Sequence, residues 1–100
     1  MEENKLVRDK IPEIIKARGD VCDFYIADDK EYWEKLKEKL FEEIDEFFED
    51  ESKEEMADLL EVVNAIMKYK GFDIHDIKKI RHKKRKLRGG FDRKVILTDF

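Results

Sequence analysis

Apolar residues recur along this chain at two different periods, and each change of period marks a new element. From Asp28 to about Glu49 they return every three or four positions, at Trp33, Leu36, Leu40, Ile44 and Phe47, with Phe41 and Phe48 widening the stripe. That spacing predicts an amphipathic helix opened by Asp28 as N-cap, with Glu31 three residues on. A second long helix is predicted to start after Ser52 and end near Lys70, with Gly71 as its C-cap. Its Met56, Leu59, Leu60, Val62, Val63, Ile66 and Met67 cover well over half the circumference, more than one partner helix can bury. Another helix opens at Asp73, with Asp76 favouring its amino end, and stops at Gly89 and Gly90.

The ends of the chain follow a different pattern. Residues 4 to 18 predict an extended lead-in and a short helix, with Pro12 in its first turn, Ile11, Ile14 and Ile15 on its apolar side, and Gly19 ending it. Residues 21 to 27, V-C-D-F-Y-I-A, alternate sides with β-branched and aromatic types, and V-I-L-T at 95 to 98 is the one other such run. The two predict a small two-stranded ribbon packed on the helices, because an isolated pair of strands is marginal. The expected fold is mainly α, a helical hairpin of residues 28 to 70 with this ribbon. Pairing of two copies completes a four-helix bundle, since the second long helix is apolar on too many sides for a monomer of this size.

Chemistry enters where the hairpin turns. Glu43 and Glu46 lie three apart before the turn at Asp50 to Ser52, and Glu55 and Asp58 lie three apart after it. Residues three apart share a helix face. Antiparallel pairing brings Glu46 level with Glu55 and Glu43 level with Asp58, so four carboxylates converge. At about 100° per residue, Glu43 falls within roughly 20° to 60° of Leu36, Leu40 and Phe47, and Asp58 is flanked by Val62, Ala65 and Tyr69. Acids bordering an apolar stripe repel one another by several kcal/mol at low dielectric, on the order of what a bound divalent cation relieves. Oxygen ligands without His or Cys suit magnesium, or manganese. The bland alternatives are solvated helix surface and, for Glu55, a capping box with Ser52.

Composition limits the field without choosing within it. One hundred residues, 41% of them hydrophobic and 48% charged, predict one small globular domain with salt-bridged helices. A net charge of -4 argues against nucleic-acid binding as the main task. One basic block runs against this trend, Lys78 to Arg88. It reads as a solvated helix face, as a clamp for phosphates beside the acids, or as a nucleic-acid footprint without interleaved aromatics. Lys5, Arg8 and Lys10 crowd around Asp9 and read either as surface charge or as phosphate-facing. The lone Cys22 predicts a reducing cytosol, and no run is apolar enough for a membrane span or signal peptide, so a cytoplasmic protein is expected. His75 and His82 each lack a Glu three residues earlier, which excludes the Glu-x-x-His arrangement of di-iron bundles. There is no Gly-rich phosphate loop, nucleophile elbow or zinc spacing.

With E-I-D-E at Glu43 to Glu46 followed by E-M-A-D-L-L-E-V from Glu55, the chain resembles the all-α NTP pyrophosphohydrolases, the MazG-like and phosphoribosyl-ATP pyrophosphohydrolase-like superfamily. K-L-V-R-D-K-I-P-E-I-I from Lys5 and R-G-G-F from Arg88 look like a small stand-alone branch, so the resemblance spans nearly the whole chain. It implies a magnesium enzyme that cuts the α,β-phosphate bond of nucleoside triphosphates to a monophosphate and pyrophosphate, a house-cleaning activity. It implies Glu43, Glu46, Glu55 and Asp58 as metal ligands, Glu42 or Glu61 positioning the attacking water, and Lys83, Lys84 or Arg88 facing phosphate. Only eight residues separate Glu46 from Glu55, a shorter hairpin than that of the wider superfamily. The rival class is a non-catalytic helical interaction module, or a nucleic-acid binder, working through the basic helix.

Overall fold

A computed structural model describes residues 4–99. Among them are four helices: α1 (Ile11–Ala17), α2 (Asp29–Glu49), α3 (Lys53–Lys70) and α4 (Ile74–Arg88). Each start has a local cause. Asp28, Ser52 and Asp73 accept hydrogen bonds from the amides of Glu31, Glu55 and His75, at 2.8, 3.2 and 2.8 Å, filling donors that the first helical turn leaves orphaned. α1 lacks a side-chain cap and starts instead on Pro12, which sets a helical φ and has no amide to satisfy. α3 ends at Gly71 with φ 69°, where the amides of Gly71 and Phe72 donate back to Lys68 and Met67.

α2 and α3 fold into an antiparallel hairpin, the one extensive helix contact among the described residues. Its closed end is the turn at Asp50 to Ser52, where the Ser52 amide donates to the Asp50 carbonyl at 2.7 Å. Its open end is fastened by aromatics. Trp33 stacks on Tyr69 with centroids 5.3 Å apart, Tyr32 meets the same ring edge-on at 5.6 Å, and the Lys70 ammonium lies 4.3 Å from the Trp33 ring centre. The Tyr69 hydroxyl donates to the Asp29 carbonyl. This register is the one that brings Glu43 level with Asp58. Between the two ends the buried core is small: Leu36 is 1% exposed and Val62 8%.

The expected ribbon is absent: no strand forms among the described residues, and 21 to 27 and 95 to 98 are irregular. Strand propensity became irrelevant because neither run gained a ladder partner. The C-terminal run follows α4, which has no extensive packing on the hairpin, and Val95, Ile96 and Leu97 stay exposed. The other run is held by side chains instead: Tyr25 donates to Glu31 at 2.6 Å and accepts from Asn4 at 3.2 Å. The core stripe is also narrower than expected. Phe41 and Phe48 are 67% and 69% exposed, because they lie about half a turn from Leu36 and Glu43, on the back of the hairpin.

The chain is open for its size. Its Cα radius of gyration is 18.0 Å, against about 13 Å for a compact domain of this length. It exposes 9538 Å², where a compact chain of this mass exposes about 6,000 Å². No helix among the described residues is long and apolar enough to cross a membrane.

Candidate metal centre

The two acidic pairs do converge on one face of the hairpin. Carboxylate oxygens of Glu43, Glu55 and Asp58 lie within 4.8 Å of one another, and so do those of Glu42, Glu43 and Glu46. Glu43 belongs to both groups, so the arrangement is two overlapping triads joined at one residue. That residue is the most buried acid of the set, at 5% exposed. Its position follows from the sequence: two turns beyond Leu36 and one beyond Leu40, it continues the buried side of α2 to the mouth of the hairpin.

Burial leaves this carboxylate poorly partnered. Its Oε1 lies 3.4 Å from the Lys39 ammonium, while its Oε2 is sealed from solvent without a hydrogen bond. Glu55 also holds an unpartnered buried Oε2. The capping-box explanation for Glu55 therefore covers its backbone alone. Ser52 accepts from the Glu55 amide, but the Ser52 amide donates to Asp50 and the Glu55 carboxylate turns into the cluster. Orphaned buried carboxylate oxygens are costly, and protonation, an ordered water or a hard cation with oxygen ligands each relieves them.

Cations of the chain offset part of the negative charge. Lys5 donates to Glu42 at 3.0 Å, Arg8 to Asp58 at 2.7 Å, and Lys39 approaches Glu42 at 3.5 Å as well as Glu43. Among the described residues, three cations face five carboxylates, and Glu46 and Glu55 have no salt bridge.

The pKa directions follow this division. Desolvation first, and then the neighbouring Glu43 charge, pushes the Glu46 carboxyl above its ordinary 4.5; desolvation, Asp58 and Glu43 do the same to Glu55. Glu42 moves down, chiefly through the hydrogen bond from Lys5, whose own ammonium is pushed up by the same contact. A carboxyl with a raised native pKa takes up protons more readily when folded, so its ionisation works against the fold. Chelator-treated protein should therefore gain a share of its stability from Glu46 and Glu55 as pH falls from neutrality toward 4.5, before the depressed Glu42 takes up its proton and stability is lost. Thermal melts across that range test this: the midpoint should hold or rise before it drops.

The remaining predicted residues separate into three sets. Glu61, Arg8 and Lys10 line an open groove of about 580 Å³ that also reaches Glu43, Asp58, Leu36 and Val62. Lys5 and Glu42 line a smaller neighbouring hollow. Lys83, Lys84 and Arg88 are exposed on α4 and line neither, and the one salt bridge of α4 among the described residues joins Arg85 to Asp92. Lys39 was missed by sequence reasoning, although its spacing of three and four to Glu42 and Glu43 is the signal that finds it. Compared with protein-family models, with characterised proteins and with solved structures, the chain matches none, so the reading of its function rests on its own residues.

Proposed function

We propose that the chain is a magnesium-dependent nucleoside triphosphate pyrophosphohydrolase, cutting the α,β-phosphate bond to give a monophosphate and pyrophosphate. The observation that carries this reading is the buried Glu43 carboxylate, with one oxygen unpartnered, at the junction of two carboxylate triads. Glu43, Glu46, Glu55 and Asp58 would hold the cation. When bound, it supplies charge neutralisation for phosphate oxygens and acidifies water. The chain's own part is to hold an in-line water and accept its proton. Glu61 suits that role better than Glu42: it lines the open groove beside Asp58, whereas Glu42 is tied to Lys5 and Lys39 and held at a lowered pKa, which makes it a poor base. No covalent nucleophile is required.

The working unit we propose is a homodimer, in which the backs of two hairpins pair into a four-helix core. A nucleic-acid or helical interaction module is the second reading, favoured by the exposure of every basic residue of α4. One experiment separates them. Nucleotides screened with magnesium should release pyrophosphate, and charge reversal at Lys83, Lys84 and Arg88 to Glu should weaken turnover without unfolding the chain if α4 clamps phosphate. No pyrophosphate from any nucleotide, with salt-sensitive DNA or RNA binding that the reversal removes, would establish the second reading instead.

A further inference from the structure

We propose that Arg8 is an exchangeable counter-ion of the acidic cluster: its guanidinium holds Asp58 until a divalent cation takes that carboxylate, then turns to the phosphate beside it. This rests on the reading of the cluster as a metal centre. The Arg8–Asp58 bond, at 2.7 Å, is the shortest salt bridge among the described residues, and Asp58 is also one of the three acids grouped around the buried, unpartnered Glu43. The same carboxylate is therefore claimed by a guanidinium and by a candidate cation.

The segment carrying Arg8 is fastened on either side of it. Upstream, Asn4 donates to Tyr25 and Lys5 to Glu42; downstream, the Arg8 carbonyl accepts from the Ile11 amide at 3.0 Å as α1 begins. The backbone is thus held across the groove, while the side chain is 57% exposed and the bond to Asp58 is its one hydrogen bond among the described residues. Its guanidinium offers five N–H donors in a planar fork that fits carboxylate and phosphate alike, and one of them is used on Asp58. A cation arriving at Asp58 displaces a ready-made phosphate donor at the edge of the groove that Arg8 and Asp58 both line. Lys5 differs: it holds Glu42, which lies outside the Glu43, Glu55 and Asp58 triad.

Exchange has a signature that a purely structural salt bridge lacks, because the two affinities move in opposite directions. In calorimetric titrations of the full chain with manganese(II) alone, Arg8→Gln should bind about two- to fivefold more tightly than the original, the scale of one exposed ion pair released. Pyrophosphate titrated into the manganese-saturated proteins should bind the variant about tenfold more weakly, the scale of one charge-assisted hydrogen bond lost. Arg8→Lys, which keeps the charge, should stay near the original in the first titration and fall between the two in the second. Equal or weaker manganese binding by Arg8→Gln would overturn the exchange while leaving the metal centre standing. Unchanged pyrophosphate affinity would overturn the transfer to phosphate. Absence of manganese binding by the original chain would overturn both the exchange and the reading it rests on.

Discussion

Replacing Glu43 with Gln will lower pyrophosphate release by more than about 100-fold while leaving the chelator-treated fold as stable as before, or slightly more so. The two halves of that expectation come from one geometry. Second-shell partners of metal ligands typically cost 10- to 100-fold when removed, so the ligand shared by both triads should exceed about 100-fold. Stability moves the other way because the Glu43 carboxylate is buried, half-partnered and surrounded by Glu42, Glu46, Glu55 and Asp58. Gln keeps the shape and removes the charge, which relieves the like-charge repulsion that Lys39, at 3.4 Å, offsets only in part. Asp58→Asn should lose activity similarly and gain less, because it also gives up the bond from Arg8. A surface-acid reading forecasts near-neutral change in both measurements. Turnover and chelator-treated melts of Glu43→Gln would therefore separate the two readings.

Light scattering at micromolar concentration will give about twice the 12.1 kDa of one chain. The difference of roughly 3,500 Å² between the surface this chain exposes and that of a compact chain is several times the ~800 Å² each partner buries in a standard interface, and it fits an obligate association. Exposed α4 and the C-terminal run contribute part of that difference, and the back of the hairpin offers the apolar face for pairing. Phe41 and Phe48 on α2 stand beside each other two turns apart, as do Met56 and Leu60 one turn apart on α3, all four exposed. On their own helices they lie roughly 120° to 160° from Leu36, Glu43, Asp58 and Val62, so pairing there completes a core and leaves the groove open. Leu60→Glu should put a charge into that seam and give monomers that melt earlier and less cooperatively than the original. A stable, cooperatively folding monomer of the original chain would sink the dimer.

Sequence carried the helices because their signals are local. Asp28, Ser52, Asp73 and Gly71 each act within one turn of their own position, and the structure puts a helix boundary at every one. The acidic convergence was legible for a related reason: once two helices are joined by a tight turn, register follows from chain length, and Glu43 could only come level with Asp58. What failed was non-local. A strand at 21 to 27 depended on meeting 95 to 98 across most of the chain, and nothing in either run could report that α4 stands away from the hairpin. For the same reason the basic residues of α4 read as neighbours of the acids, yet line neither groove. Glu55 was ambiguous between capping partner and cluster member, because both roles use the same spacing and differ only in where the carboxylate turns.

The central claim is that these carboxylates form one cation site, and the magnesium-induced shift in thermal midpoint tests it most directly. A ligand that binds the folded chain alone stabilises it by an amount set by its occupancy. Melts of the original, Glu43→Gln and Asp58→Asn, each with and without magnesium, should show a clear upward shift in the original and a much smaller one in both variants. Identical magnesium shifts in all three proteins would mean that Glu43 and Asp58 hold no cation, and that the buried acids of this hairpin serve some other purpose.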